Sequence, residues 1–577
     1  MSEQQNVSTA KHPKGLYVLF FTEMWERFGY YLMLGIFSLY MLDSVDNGGM
    51  GFNPVKKSDI YGTYLGLVYL TPFLGGLLAD RVFGFRKSII AGGLLMAAGY
   101  LGLAVPGEGM FYISLLLIIL GNGFFKPNIS TLVGNLYNDD RFRANKDAGY
   151  NIFYMGINIG AFVCNFVAAY MRINYGWGWA FAAAGVGMLI GVVIFMAGTK
   201  HIKHADVMKP VQKEDMSLGK IFSYVLLPVF LCGLLGYFLP EMIFGSPLLQ
   251  TKQNDAFIIG CIPVLIFYGS LWVRASPEDK NPIGALLSVM FCVIIFWAVF
   301  HQNGDALTIW AKDHTDREMP VTIANVATQA NMAQEVENHY TVHASEEVFQ
   351  SHIDSLVIEK DNALAAKDLG KVKDIGRVIS LRTNSRNYFE NLSADKQPAE
   401  GKSLLLFSTE IYQSINPFWV VLLTPVVVGF WGFLRKRKAE PSTPAKIALG
   451  MLITGLSTIV MVAAVSSISM GDEKASSWWL IASYGVITFG ELCLSPMGLS
   501  LVSKLSPPRL TALMMGGWFL STAVGNKLSG MLSGLWEGFE NKGNFFLMNF
   551  ALCIAATILL LVLLKWLRKV MREKNIH

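Results

Sequence analysis

Long apolar runs separated by short polar connections dominate the pattern of the chain. Each run is about twenty residues or longer, the length that an α-helix needs to cross the hydrocarbon core of a bilayer. The pattern therefore predicts an all-α polytopic membrane protein. Fourteen runs qualify, near residues 15–42, 58–81, 87–106, 110–136, 147–171, 176–198, 218–239, 256–275, 282–311, 414–435, 443–468, 477–504, 511–535 and 543–568.

The basic residues are concentrated in alternate connections between these runs. Short loops between them, such as 43–51 and 105–109, are poor in lysine and arginine. By the positive-inside rule both termini are predicted to be cytoplasmic, and the even helix number agrees. We expect an inner-membrane, multi-pass, monomeric protein in contact with the lipid bilayer and with no nucleic-acid partner. The basic positions include Arg81, Arg86 and Lys87, Arg141 to Lys146, Lys200 and Lys203, Arg274 and Lys280, Arg435 to Lys438, Lys504 and Arg509.

Composition supports the membrane class and argues against several kinds of site. The 577 residues are 53% hydrophobic and 15% charged, whereas a soluble protein carries about 25% charged residues. All six cysteines lie in apolar runs without metal-ligand spacing, so neither a disulfide framework nor a metal site is expected. No nucleophile–base arrangement or phosphate loop is found, so neither an enzyme nor a cofactor is expected. Residues 1–14 lack the features of a signal peptide, so the first helix is expected to be an uncleaved anchor.

Along the chain, the fourteen apolar runs fall into a group of six, a pair and a second group of six. We predict an N-terminal six-helix bundle over residues 1–200, a linker with an inserted hairpin over 201–280, and a C-terminal bundle over 281–577. This layout suggests two halves that rock about a central site.

A polar insertion at about 312–410 interrupts the second bundle on the predicted outer side. Its length favours some structure of its own, with helical character at Ile323–Tyr340 and Val348–Ala366. A surface insertion, a partner-binding appendage and a cover for a cavity all stay open as roles.

The first run carries three charged residues, Glu23, Glu26 and Arg27. On a helix Glu23, Arg27, Tyr30 and position 34 share one face. Ionisable groups inside a membrane cost several kcal/mol unless they pair or line water, so they indicate function. A simple ion pair between helices is the alternative.

Several motifs resemble one family. The segment from Glu23 to Tyr31 is similar to the ExxERFxYY signature of proton-coupled oligopeptide transporters, a branch of the major facilitator superfamily. Five further stretches agree in order along the chain. They are Gly76 to Lys87, Gly121 to Tyr137, Phe153 to Ala161, Gln413 to Pro417, and Gly490 to Pro496. The resemblance implies the major facilitator fold, two six-helix bundles plus the inserted two-helix hairpin of bacterial members.

The resemblance also implies roles for individual residues. Protons would be the coupling ion, and the acids of the first helix together with Lys126 would link proton uptake to the charge of the binding site. Glu491 would hold the amino terminus of a peptide; a packing ion pair with Lys527 is its alternative role. The implied substrate-binding set is Arg27, Tyr30, Tyr31, Tyr69, Lys126, Tyr154, Asn158, Trp297, Asn416, Glu491, Ser495 and Trp518, and the expected conformational latch is Gly76, Asp80 and Arg81.

Two positions depart from the family pattern. The family usually has an arginine where this chain has Leu34, and a glutamate where it has His301. In the family these two charges face each other across the cavity, and losing both keeps the charge balanced. His301 could still sense protons, since histidine titrates near physiological pH, or it could be a neutral hydrogen-bonding residue.

The sequence therefore predicts a proton-coupled symporter that imports di- or tripeptides by alternating access. One alternative keeps the fold and changes the cargo to a modified peptide or an anion, because Leu34 and His301 alter the cavity charge. A second alternative is a membrane receptor or scaffold that acts through the 312–410 segment.

Overall fold

The computed structural model describes residues 12–137, 139, 141–142, 146–207, 218–330, 332–507 and 510–574. This part of the chain is predominantly helical. Its α-helices in chain order are α1 (Lys14–Leu42), α2 (Pro54–Leu78), α3 (Phe85–Leu103), α4 (Glu108–Leu136), α5 (Lys146–Tyr175), α6 (Trp177–Ala197), α7 (Leu218–Ile221), α8 (Leu227–Phe244), α9 (Lys252–Val273), α10 (Pro277–Phe300), α11 (Ala306–Asp313), α12 (Val321–Gln329), α13 (Glu346–Ala365), α14 (Leu369–Phe389), α15 (Ile415–Lys436), α16 (Thr443–Ser466), α17 (Ser477–Leu505), α18 (Thr511–Ser533) and α19 (Lys542–Glu573).

The apolar helices make this a multi-pass membrane protein. Within the described residues, ten helices are long and apolar enough to cross a bilayer by length and composition. Each of the fourteen predicted runs coincides with a helix, although α1, α2, α3 and α18 are not among those ten. In α1 the charged residues Glu23, Glu26 and Arg27 lower the hydropathy of its middle. The exact number of fourteen spans therefore stays a prediction.

The span predicted near 282–311 coincides with the apolar span Pro277–Asp313, but the helix is not continuous and breaks in its last third. Helix α10 ends at Phe300, a 3₁₀ turn covers His301–Gly304, and α11 begins after Asp305. Asp305 has φ −129° and ψ −87°, far from helical values. Gly304 permits a close approach there, since a Cβ on it would lie 1.9 Å from the hydroxyl oxygen of Tyr61. Glycine and aspartate both favour helix interruption over helix interior.

The chain divides into two compact units. The first contains Met1–Met33, Leu67–Val167 and Gly178–Phe222; the second contains Leu34–Gly66, Ala168–Trp177 and Ser223–His577. In the first unit, α3 and α4 approach so closely that a Cβ on Gly92 would lie 2.5 Å from the carbonyl oxygen of Gly121. Likewise α5 packs on α1 where a Cβ on Gly160 would lie 2.3 Å from the Met24 carbonyl oxygen. Glycines thus allow the α1 face with the charged residues to sit against its neighbours.

The second unit uses the same kind of contact. A Cβ on Gly450 of α16 would lie 2.7 Å from the carbonyl oxygen of Gly490 on α17. The first half of α2 packs on α18, where a Cβ on Gly530 would lie 2.4 Å from the Ser58 carbonyl oxygen. Residues 34–66 of the first two helices are therefore built into the same unit as the C-terminal helices.

The insertion has a small core of its own, as its length predicted. Strands β2 (Gln334–Glu337) and β3 (Ser403–Leu406) pair antiparallel, and β1 (Thr315–Asp316) pairs parallel with β4 (Ala475–Ser476). Two hydrophobic clusters lie inside it, one around Val336, Tyr388 and Leu406 and the other around Phe349, Ile353 and Ile379.

The helices predicted in the insertion are partly confirmed. The prediction at Val348–Ala366 is confirmed by α13. The prediction at Ile323–Tyr340 is wrong beyond α12, since Gln334–Glu337 forms β2 with a partner strand almost seventy residues away, from Ser403 to Leu406. Helix α14 was not predicted.

His314, directly after the span that ends at Asp313, makes stability depend on pH. Its ring lies against those of Trp310 and Trp536, with centroid distances of 5.0 and 6.4 Å. Burial lowers the pKa of His314 from 6.5 to about 4, opposed by Asp313. Below pH 6.5 the unfolded chain binds a proton that the folded protein excludes. The free energy of unfolding should therefore fall by on the order of 3 kcal/mol as the pH drops from 6.5 to about 4.

The measurement is the melting temperature of the purified protein across this pH window. His314→Gln should melt with a weaker dependence on pH, because glutamine does not titrate. His343→Gln, at an exposed histidine of the same insertion, should keep the wild-type dependence. Equal slopes for the wild type and His314→Gln would contradict the assignment.

Candidate functional site

The charged residues of α1 form one buried cluster. Arg27 donates from Nη2 to Oε1 of Glu26 at 2.7 Å and from Nε to the other Glu26 oxygen. Its Nε also lies 3.3 Å from Oε1 of Glu23. All three side chains are buried. The ring of Tyr30 completes the stripe, with its centroid 4.9 Å from the Arg27 guanidinium carbon.

Glu23 and Glu26 differ in how their oxygens are used. Both Glu26 oxygens accept from the guanidinium, whereas Oε2 of Glu23 is buried and accepts no hydrogen bond. A buried carboxylate oxygen without a donor is costly as an anion and gains by taking a proton. Within this cluster, Glu23 is therefore the acid better placed to bind and release a proton.

Lys126 of α4 belongs to the same unit. Its ammonium lies 4.2 Å from the ring centroid of Tyr69 on α2, a cation–π contact. No ion pair of the described residues joins Lys126 to Glu23 or Glu26, but it is close enough to both acids and to Arg27 for their charges to interact. With both acids ionised, the two cations and two anions balance. One proton on an acid leaves a net charge of +1.

Three further polar positions of this unit carry aromatic or amide groups. Asn158 donates from Nδ2 to the carbonyl oxygen of Tyr154 at 3.0 Å. Tyr154 is 51% exposed, because α5 uses Gly156 and Gly160 to pack on α1. Tyr31 is half-buried beside Tyr30, with ring centroids 5.2 Å apart. The contact of α5 with α1 is therefore made at Gly156 and Gly160, and not by the side chains of Tyr154 and Asn158.

Glu491 of α17 is the centre of a second polar group, in the second unit. Asn416 of α15 donates from Nδ2 to Oε2 of Glu491 at 3.4 Å and to the hydroxyl of Thr488 at 2.8 Å. Ser495, one turn further, has a buried hydroxyl without a hydrogen-bond partner. Among the ion pairs of the described chain, none includes Glu491. The pair with Lys527 considered from the sequence is wrong, because Lys527 binds Asp59.

Trp297, His301 and Trp518 lie in the same unit. The rings of Trp297 and His301 are 5.4 Å apart, and Nδ1 of His301 is 3.3 Å from the Trp297 carbonyl oxygen. Trp518 is buried over Gly498, where a Cβ would lie 1.9 Å from the ring. The indole nitrogen of Trp297 is buried without an acceptor. Trp297 is half-buried and Trp518 is buried, and their role as apolar walls of a substrate pocket stays a prediction.

The predicted latch is only partly described. Gly76 lies in α2 close to Pro127, and a π-helical turn follows at Ala79–Phe83. The side chains of Asp80 and Arg81 lie outside the described residues, so that prediction stays untested.

Sequence reasoning missed a set of ion pairs at the start of α2. Lys57 binds Asp305 at the α10–α11 break, and Lys527 of α18 binds Asp59 at 2.5 Å. The predicted helix began at residue 58, which placed Lys57 in a loop. The signal available in the sequence was that Lys57 lies two residues before Asp59, which carries the opposite charge.

Comparison with known proteins gives one consistent result. Residues 86–337 and 404–551 match the POT family. The uncharacterized transporter YclF of Bacillus subtilis (strain 168) is 28% identical over 557 residues, with 96% of this chain and 94% of that protein covered. A di-/tripeptide transporter of Lactococcus lactis subsp. cremoris is 27% identical over 569 residues, with 97% of each covered.

Solved structures agree with these relatives. A crystal structure of peptide transporter POT in complex with sulfate has a TM-score of 0.71 and 29% identity, and covers 99% of both chains. A mutant of peptide transporter POT in complex with alafosfalin has a TM-score of 0.69 and 28% identity, and the comparison covers 97% of this chain and 96% of that one.

Proposed function

The chain belongs to the POT family of transporters, and on this premise we propose that it imports di- and tripeptides together with protons. The family and its solved relatives confirm the predicted all-α major facilitator fold. Members of the family are transporters rather than enzymes and need no cofactor, and proton coupling is typical of them. The cargo and the roles of individual residues are our proposals.

One observation carries the peptide assignment. Glu491 is a half-buried carboxylate inside α17 for which the described chain offers an amide and no cation. An incoming ammonium group would supply that cation. We assign the amino terminus of the peptide to Glu491 and its carboxylate to Lys126 and Arg27, the two cations of the first unit. Tyr30, Tyr31, Tyr69, Tyr154, Asn158, Asn416 and Ser495 then bond the peptide backbone, which suits a carrier that accepts many side chains. Trp297 and Trp518 provide the apolar walls.

Protonation links this binding to the driving force. In our mechanism a proton on Glu23 leaves the α1–α4 cluster with a net positive charge, which favours the peptide carboxylate. Release of the proton restores the neutral cluster and weakens the hold on the peptide. A proton that crosses 100 mV contributes about 2.3 kcal/mol, so one or two protons drive useful accumulation.

The cycle requires two halves and a defined orientation. We assign the moving halves to residues 1–200 and 281–577, joined by the hairpin segment 201–280, in a monomer of the inner membrane with both termini cytoplasmic. The alternation of basic connections supports this orientation.

The neutral residue at Leu34 favours one alternative cargo. With a leucine there and a histidine at position 301, a modified peptide or an anion is the second candidate. The two cargoes are separated by counterflow in proteoliposomes with unlabelled peptides and non-peptide anions as competitors. A peptide carrier exchanges label only for peptides.

The function is tested by uptake into proteoliposomes under an inward proton gradient. The wild type should accumulate a labelled dipeptide above its outside concentration, and Glu26→Gln should not, because it loosens the bidentate pair of Glu26 with Arg27. Absence of accumulation by the wild type, with Glu26→Gln behaving identically, would exclude the proposal.

A further inference from the structure

Two carboxylate oxygens stand out among the buried polar atoms of the described chain. Oε2 of Glu23 and Oδ2 of Asp305 are the carboxylate oxygens in this part of the structure that are buried and have no hydrogen-bond partner. Glu23 belongs to the α1–α4 cluster already assigned. Asp305 lies in the other unit and has no role in the mechanism above.

Asp305 is completely buried where three helical segments meet. Its Oδ1 pairs with the ammonium of Lys57 from α2 and accepts from the hydroxyl of Ser38 on α1 at 3.3 Å. The single Ser38 hydroxyl proton is shared with the Gly304 carbonyl oxygen, which lies closer, at 2.9 Å. Lys57 is fully buried as well. One side of the carboxylate thus joins the outer ends of α1 and α2 to the α10–α11 break, and the other side is unsatisfied.

The other titratable groups around this position are already engaged. From α2, the Tyr61 hydroxyl lies 3.4 Å from the His301 carbonyl oxygen. The His301 ring, one turn before Asp305, stacks near Trp297. The α18 cation Lys527 is held by Asp59 and by the hydroxyl of Thr63, each at 2.5 Å. Lys57 is therefore the cation that pairs with Asp305.

The neighbouring pair of Asp59 with Lys527 is an internal comparison. It joins the same helix α2 to α18, and the Lys527 ammonium reaches three acceptors on α2: the Asp59 carboxylate, the Asp59 carbonyl oxygen and the Thr63 hydroxyl. Asp59 has no fully buried oxygen that lacks a hydrogen-bond partner. The two pairs have similar burial and opposite polarity, but of the two carboxylates only that of Asp305 has a fully buried oxygen without a hydrogen-bond partner.

We propose that Asp305 takes up a proton during the transport cycle and that this breaks its pair with Lys57, releasing the outer ends of α1 and α2. The inference rests on the proposed proton-coupled function and adds a second proton-binding residue to it. A proton on Oδ2 converts the carboxylate to a neutral acid and leaves Lys57 as an unpaired buried cation. An uncompensated buried charge is strongly unfavourable, so the protonated state favours separation of α2 from Asp305 and hydration of Lys57. Loss of the proton lets the pair form again.

A direct test needs no substrate. Infrared difference spectra of the reconstituted protein between high and low pH report carboxylic-acid C=O bands. One band of the wild type should be missing in Asp305→Asn and retained in Asp59→Asn. Identical spectra for the wild type and Asp305→Asn would overturn the proposal, whatever the transported solute is.

A transport test separates control by a proton from a structural role. Lowering the outside pH by about two units should stimulate uptake by the wild type about fivefold or more, and uptake by Asp305→Asn less than about twofold. Counterflow, which needs no net proton movement, should persist in Asp305→Asn. Asp305→Glu should recover the pH response, and Asp59→Asn should keep it.

Each result of these tests counts for or against the role of Asp305. An unchanged pH response in Asp305→Asn, or equal loss of the response in Asp59→Asn, overturns the inference. If Asp305→Asn does not fold, Lys57→Met replaces it, since it prevents the pair at any pH; a wild-type pH response there also overturns the inference. Failure of the wild type to accumulate peptide counts against the proposed function alone, because the infrared result still decides on Asp305.

Discussion

Glu491→Gln is expected to raise the peptide concentration for half-maximal uptake by about 100-fold, equivalent to about 2.7 kcal/mol. The reason is that Glu491 is the anion assigned to the peptide ammonium, and its described partners are Asn416 and no cation. Glutamine keeps the shape and can still bond Asn416, so the loss reports the missing charge. Initial rates of dipeptide uptake in proteoliposomes over a range of concentrations provide the measurement.

The substrate supplies the matched control for this prediction. An N-acetylated dipeptide has no ammonium group, so the wild type should favour the free dipeptide strongly and Glu491→Gln should hardly distinguish the two. Glu440→Gln, at a carboxylate that pairs with Arg435 and Lys446, should leave this discrimination unchanged. Retained discrimination in Glu491→Gln would place the ammonium elsewhere.

Glu23→Gln is expected to separate transport from its driving force. Because Oε2 of Glu23 is the orphan oxygen of the α1 cluster, glutamine mimics the protonated acid with little change of packing. Exchange of labelled for unlabelled peptide should continue, while accumulation driven by a proton gradient should fall at least about tenfold, a loss of about 1.4 kcal/mol of driving force. The two assays are run on the same vesicles.

Glu26 provides the comparison variant for this prediction. Both oxygens of Glu26 bind Arg27, so Glu26→Gln should reduce exchange and accumulation together, because it disturbs the guanidinium. If Glu23→Gln still accumulates peptide as the wild type does, the coupling proton is not on Glu23. If it loses exchange as well, the residue is structural.

The sequence anticipated those parts of the molecule that depend on local pattern. The apolar runs place most helix ends within a few residues of the structure, as for α4 and α16. The stripe of Glu23, Arg27 and Tyr30 follows from helical spacing alone, and their mutual contacts bear it out. Both results come from short-range periodicity, which is what a sequence displays directly.

Contacts between distant segments were not accessible in this way. The pair of Lys57 with Asp305 joins positions 248 residues apart, and no pattern near either residue indicates the other. The break after α10 is a different case, because the sequence marks it with a run of non-apolar residues from His301 to Asp305 before apolar residues resume at Ala306. The orphan oxygen of Asp305 is a property of packing, so only a structure reveals it.

The register of β2 with β3 brings the two ends of the central part of the 312–410 insertion together. Glu337 stands directly opposite Ser403, so the chain leaves and re-enters this hairpin at neighbouring points. The segment from α13 to the middle of α14, which has its own hydrophobic cluster, could be exchanged for another folded domain, whereas Tyr388 at the end of α14 belongs to the cluster with Val336 and Leu406. Such a segment can be lengthened or replaced at little cost in stability, and a rigid marker can be attached at the same place.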